Sequence, residues 1–172
     1  VVAAGLKLDW AAIEGLEEAL GRNGVTSNYR YDLAPYTWEL VQKMRGEKAI
    51  FTQPPMPIKC AGAPQKAMYL SCSTWMQVGK IKDIDVSFCN AGPVLFGCAD
   101  YVPPLMEYVD RYGINLDFGY NLVKVDGPNQ IATFKVAKEG EDPRLVERKF
   151  DMLHVCPPQC APDFIKDSPL AN

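Results

Sequence analysis

The stretch KAIFTQPPMPIKCAGAPQKAMYLSCSTWM, Lys48 to Met76, decides the fold. Lys48–Gln53 is a short apolar run stopped by Pro54 and Pro55, because proline lacks the N–H that a strand ladder needs. After a turn, Gln65–Met76 places Met68, Leu70, Cys72 and Trp75 where they can share a buried surface. Pro64 suits a first helical turn, where a missing N–H leaves no bond unmade. Strand, turn and helix in that order are half of a βαβ unit.

The same order continues downstream. DIDVSFC, within Ile81–Cys89, is a second strand core, Asn90–Gly97 is a turn-rich loop, and Tyr101–Tyr112 is a helix that can start at Pro103-Pro104 and stop at Gly113. Leu116–Tyr120, Leu122–Val125 and Ile131–Val136 read as short strands, the last two joined through Asp126-Gly127-Pro128-Asn129 as a hairpin or meander. Arg144–Phe150 and Met152–Val155 add two more strands. Upstream, Tyr36–Met44 sets Trp38, Leu40, Val41 and Met44 at helical spacing, and Asp9 can cap a short helix through Ala11–Leu20. Val1–Gly5 has the look of a buried strand ending in a small-residue turn. Strands alternating with helices, followed by a small antiparallel piece, predict an α/β Rossmann-like sheet with a β-meander flap.

Composition sets the outer limits. Of the 172 residues 48% are hydrophobic and 23% charged, which is ordinary for a globular domain and unlike a disordered or fibrous chain. The net charge of −3, with no Lys/Arg cluster, argues against nucleic acid as a partner. No apolar run approaches the roughly 18 residues that span a bilayer, and Val1–Gly5 lacks the basic flank of a signal peptide. Six cysteines at spacings without a small-secreted framework or a C-x-x-C motif point to a reducing compartment.

The turn between strand and helix is where a dinucleotide-binding domain carries its Gly-rich phosphate loop, since backbone N–H groups and the helix dipole must meet the pyrophosphate. Here it reads Cys60-Ala61-Gly62-Ala63-Pro64. One glycine remains of G-x-G-x-x-G, and Pro64 removes a donor, so dinucleotide binding at this turn is not expected. What stands there is a cysteine just before a helix N-terminus, with Lys59 and Lys66 near in sequence, a setting that favours thiolate. A small buried hydrophobe is the other reading of Cys60, and spacing alone leaves both open.

The segment Pro57-Ile58-Lys59-Cys60-Ala61-Gly62-Ala63-Pro64-Gln65-Lys66-Ala67-Met68-Tyr69-Leu70-Ser71 closely resembles part of the sulfide:quinone oxidoreductases, in the branch that includes the mitochondrial enzyme. Agreement extends through Gly5–Asp9, Gly46–Thr52, Asn121-Leu122 and Met152–Pro158 to Ser168-Pro169, essentially the whole chain. The resemblance implies the central segment of a two-dinucleotide-binding-domain flavoprotein, in which FAD is reduced by sulfide and reoxidised by quinone. It implies that Cys60 is one of two redox cysteines, bridged by a disulfide or sulfur that sulfide opens, with sulfane sulfur leaving on the other. It also implies a membrane-peripheral enzyme, expected on the cytoplasmic side of a bacterial inner membrane or, in a eukaryote, at the mitochondrial inner membrane. An N-terminal G-x-G-x-x-G, a later flavin motif, the partner cysteine and membrane-associating helices are absent from these 172 residues. FAD binding and turnover are therefore expected of the parent protein, with the flavin domain and the membrane surface as partners of this segment.

On that basis the expected domains are 1–35, the strand end of the flavin domain and a connector; 36–160, the second Rossmann-like domain with its meander; and 161–172, a return segment. Ala4 and Gly5 are expected near FAD, where small side chains permit approach. Cys156 and Cys160, in C-P-P-Q-C, are at most half of a zinc site, and no metal is expected. Cys72, Cys89 and Cys98 are read as packed or incidental thiols, His154 as a hydrogen-bonded core residue, and Pro157-Pro158 as a strand stop. Two other readings stay open: a stand-alone binding module that kept the fold and lost the chemistry, and a related flavoprotein such as a type II NADH dehydrogenase.

Overall fold

A computed structural model of the chain describes residues 1–137 and 140–171. In chain order the elements are β1 (Lys7–Leu8), α1 (Leu16–Ala19), β2 (Val25–Thr26), α2 (Ala34–Lys43), β3 (Lys48–Gln53), α3 (Gly62–Gln77), β4 (Asp85–Asn90), α4 (Val102–Tyr112), β5 (Asn115–Phe118), β6 (Tyr120–Asp126), β7 (Ile131–Val136), β8 (Arg144–Lys149), β9 (Met152–His154), β10 (Gln159–Cys160) and α5 (Asp163–Lys166). Asn172, the end of the expected return segment, lies outside the described residues.

Five strands form one parallel sheet in the order β2-β9-β3-β4-β5. β3 is central and, past Lys48, wholly buried, which is why its sequence is a continuous apolar run rather than an alternation. Its side chains still take turns: Phe51 packs with Met68, Trp75, Phe88 and Val109 under the helices, while Ile50 packs with Val25, Leu153 and Phe134 toward the meander. The meander is β6-β7-β8, antiparallel throughout. The result is three layers: helices α2–α4, the parallel sheet, and the meander with α1 against it.

Local chemistry sets the boundaries. α4 opens with Pro103 and Pro104 in its first turn and stops at Gly113, whose φ of +65° is the left-handed cap that glycine takes most cheaply. Gly119, at φ +75°, separates β5 from β6 and so the parallel sheet from the meander; a Cβ there would meet the Ala137 carbonyl oxygen at 2.2 Å. In α3, Met68, Cys72 and Trp75 recur at four and three residues and are buried, and Trp75 Nε1 donates to the Val41 carbonyl at 2.9 Å, locking α3 to α2.

The expected α/β sheet with its meander is what the structure holds, with local corrections. Leu70 is 70% exposed, because two residues from Met68 is half a turn round the helix. Val1–Gly5 is exposed and not a strand, since among the described residues no strand pairs with it. Ala11–Leu20 is not one helix: a 3-10 turn at Trp10–Ala12 and the short α1 are divided at Gly15, whose φ is +74°, and Asp9 makes no side-chain cap. Leu116–Tyr120 is likewise divided at Gly119. The short strands β1, β2 and β10 fall outside the expected set, being too brief to show a period.

Among the described residues no helix is long and apolar enough to cross a membrane.

Candidate active site

Cys60 lies at the carboxyl end of β3, in the turn that leads into α3, where open parallel sheets place their ligands. Its thiol is exposed, so the buried-hydrophobe reading does not describe it. The backbone around the thiol is held firmly. The Cys60 carbonyl accepts from the Ala63 N–H at 3.0 Å and from the Tyr29 hydroxyl at 3.5 Å, and the Lys59 N–H donates to Gln159 Oε1 at 2.5 Å.

Three elements distant in sequence supply those partners. Tyr29 follows β2, in a turn where its N–H donates to Ser27 Oγ at 3.1 Å and the Asn28 N–H donates to His154 Nε2 at 3.1 Å. Gln159 belongs to β10, which pairs antiparallel with β1. Cys156 follows β9, its N–H donating to Thr52 Oγ1 at 3.3 Å. Burial pushes the Cys156 thiol up to about 12, so it stays protonated near neutrality. Burial raises the Tyr29 hydroxyl as well.

This end of the sheet also holds unpaired polar atoms. Gln53 Oε1 on β3, His154 Nδ1 on β9 and Gln159 Nε2 on β10 are buried without a hydrogen-bond partner. His154 stacks on Phe51 at 5.8 Å and is 1% exposed. Burial lowers its pKa to about 4, so near neutrality it is a neutral imidazole. With Nε2 accepting from Asn28, Nδ1 carries the proton. His154 is thus a core residue, as read from its neighbours in sequence.

The remaining thiols divide by burial. Cys72 and Cys89 are buried and pushed up to about 12 by desolvation. Cys98 is exposed, on the loop after β4, and Cys160 is half-buried. Among the described residues no three His, Cys, Asp or Glu side chains are grouped to hold a metal. Ala4 and Gly5 are exposed, Gly5 at φ +73°; they precede β1, whose partner β10 holds the Cys60 loop through Gln159.

The chain aligns over its whole length with curated proteins. It is 38% identical to the mitochondrial sulfide:quinone oxidoreductase of Dictyostelium discoideum over 174 residues, covering 37% of that protein, and 34% identical to that of Mus musculus, covering 38%. This chain is a homologue of the sulfide:quinone oxidoreductases. Its relatives in that class are enzymes, and it spans somewhat more than a third of their length. Among solved structures, the sulfide:quinone oxidoreductase of Aquifex aeolicus superposes on 87% of this chain with a TM-score of 0.65 at 15% identity, over 34% of its own length. A chain of the Tetrahymena thermophila mitochondrial ATP synthase superposes on 99% with a TM-score of 0.76 at 21% identity, over 42% of its length. At these identities the structural matches speak for the fold alone. No family model matches the chain.

In this sulfide:quinone oxidoreductase homologue the turn after β3 does not fit a dinucleotide pyrophosphate. Pro64 has no N–H, and that of Ala63 is already spent on the Cys60 carbonyl. The turn carries an exposed sulfur on a backbone held by hydrogen bonds to Ala63, Tyr29 and Gln159. The Cys60 turn was legible in the sequence; Tyr29 and Gln159 were not, because neither sits in a motif and both reach the site only through sheet pairing.

Proposed function

We propose that the chain is the part of a flavin-dependent sulfide:quinone oxidoreductase that carries a sulfide-reactive thiol, Cys60. The observation that carries this reading is the exposed Cys60 thiol on a pinned turn at the carboxyl end of the central parallel strand, where a dinucleotide domain would keep its phosphate loop. The end-to-end identity with the mitochondrial enzymes supports it.

In this reading Cys60 shares a disulfide or sulfur bridge with a second redox cysteine outside these residues. Hydrosulfide attacks the bridge, a new sulfur–sulfur bond forms on the second cysteine, and the electron pair of the broken bond returns Cys60 to thiolate. FAD, held by groups beyond these residues, supplies the electron acceptor, and quinone takes the electrons onward. Ala4 and Gly5 are proposed to approach the flavin from the segment before β1. Residues 36–160 are proposed as the second dinucleotide-type domain of the parent protein, between a connector at 1–35 and a return segment at 161–172. The mitochondrial relatives favour a peripheral site on the mitochondrial inner membrane over a bacterial one.

The test is sulfide-dependent quinone reduction by the full-length protein and its Cys60→Ser variant, with equal flavin content confirmed by visible absorption. Loss of at least about a hundredfold in kcat, roughly 2.7 kcal/mol of barrier, with flavin retained, is the expected result. A variant as active as the wild type would make Cys60 structural.

A further inference from the structure

We propose that Gly62 is a specificity-determining residue of the Cys60 site: its missing side chain keeps one side of the sulfur open to a reactant much bulkier than hydrosulfide, the second redox cysteine carried on its own main chain. The inference rests on the bridge proposed above for Cys60 and names the residue that leaves room for it.

Three glycines elsewhere in the fold have plain structural reasons. Gly15, Gly24 and Gly119 have φ of +74°, +80° and +75°, and a Cβ on them would meet backbone carbonyl oxygens at 2.3, 2.1 and 2.2 Å. Gly62 is under neither constraint. It opens α3 with a φ outside the left-handed region. Beyond its chain neighbours and its own helix, the one heavy atom within 4 Å of a Cβ placed there is Cys60 Sγ, at 3.9 Å. An alanine would fit this backbone and would reduce the freedom of the unfolded chain, so glycine is the less stable choice at this position. What the glycine leaves is room beside the sulfur.

A Cβ at 3.9 Å would lie in van der Waals contact with the Cys60 sulfur and cover that side of it, and a branched side chain would cover more. Hydrosulfide, a single heavy atom, can still reach an exposed thiol from another side. A second cysteine has less choice. Its sulfur must come to bonding distance within a narrow range of angles and dihedrals, with its own main chain close behind. The Cys60 turn cannot easily give way, because its carbonyl accepts from Ala63 and Tyr29 and the preceding Lys59 N–H donates to Gln159. A held backbone with one uncovered side therefore selects by size, and the uncovered side is the one assigned to the second cysteine.

The test compares the full-length protein with its Gly62→Ala and Gly62→Val variants. Each is reduced and labelled with iodoacetamide or with the bulkier N-phenylmaleimide, and labelling of the Cys60 peptide is followed by mass spectrometry with exposed Cys98 as the internal reference. In Gly62→Val, N-phenylmaleimide labelling is expected to slow by about tenfold, the order that misplaced methyl groups are worth in a fitted site, while iodoacetamide labelling changes less than about twofold. Gly62→Ala should show a smaller effect of the same kind, with a thermal midpoint no lower than the wild type's. The kcat of sulfide-dependent quinone reduction should fall in the same order, with KM for quinone unchanged. Equal slowing by both reagents would mean that the turn has shifted, and no slowing by either that this side of the sulfur is not the one used. Either result overturns the assignment, as does full turnover in a variant whose N-phenylmaleimide labelling is slowed. A Cys60→Ser protein as active as the wild type marks a separate failure, that of the bridge itself, and removes the reactant that Gly62 would admit.

Discussion

The β5 edge of the parallel sheet and the carboxyl ends of its β3 and β9 strands treat polar groups in opposite ways. On the β5 flank Arg148 of the meander forms a bidentate pair with Asp117, Nη1 to Oδ2 at 2.6 Å and Nη2 to Oδ1 at 3.0 Å, while its guanidinium lies 4.6 Å from the centre of the Tyr120 ring. Arg148 Nη1 also reaches Cys89 Sγ at 3.9 Å. The Asp117 pairing, with burial opposing it, raises the Arg148 pKa and keeps the charge fixed. At the carboxyl ends of β3 and β9 and on neighbouring β10, Gln53 Oε1, His154 Nδ1 and Gln159 Nε2 are buried without a partner, while the turn that carries the exposed Cys60 thiol is pinned through its backbone. The first cluster is satisfied internally; the second leaves buried polar atoms whose desolvation no hydrogen bond offsets.

His154 is the most deeply buried of these groups. His154 takes up a proton only near pH 4 when folded and near its ordinary value of 6.5 when unfolded. Below pH 6.5 the unfolded chain therefore binds the extra proton. The stability is fully present above that value and is lost as pH falls toward 4, by about 3 kcal/mol at the low end. Urea unfolding of the wild type and of His154→Gln across pH 7 to 4 measures this term as the difference between the two curves. Parallel curves would show that His154 is not held neutral by its site.

The ion pair comes next. Asp117→Ala strands a half-buried guanidinium over Tyr120, and a cost of about 2 kcal/mol is expected from the urea midpoint. Cys60 alkylation should not change, because the lesion sits on the other flank. Replacing both partners, Asp117→Leu with Arg148→Met, should recover most of the loss. If the double variant is no better than the single one, the pair does more than satisfy itself. The smallest effect is expected at Lys7–Asp163, exposed on both sides at 2.6 Å: Lys7→Ala should leave the thermal midpoint unchanged within error. A measurable drop would show that this pair holds β1, and with it β10 and Gln159, in place.

Legibility in the sequence followed the range of the interactions. Lys48–Gln53 was readable as a strand to the residue because its own apolar run and the two prolines behind it carry the information. The turn at Cys60 was readable because Pro64 and the single Gly62 rule out a phosphate loop within a few residues. α1 and β1 were not, since Gly15 breaks a pattern whose spacing looks helical and β1 exists only by pairing with β10. Leu70 was misplaced for want of the full helical angle from Met68. Tyr29 lies 31 residues before Cys60 and Gln159 100 residues after Lys59; no local pattern links them.

By itself, then, the amino-acid sequence determined the α/β class, the order of strands and helices from Tyr36 to Val155, the meander, and the singular position of Cys60. These follow from periodicity, proline and glycine, whose effects act within a few residues. Only the tertiary structure decided that β9 inserts between β2 and β3, that Cys156 is buried while Cys60 is not, and that Tyr29 and Gln159 converge on the Cys60 turn. Those outcomes depend on which strands pair, and pairing is settled by burying apolar faces of segments far apart in the chain, an energy that no single segment contains.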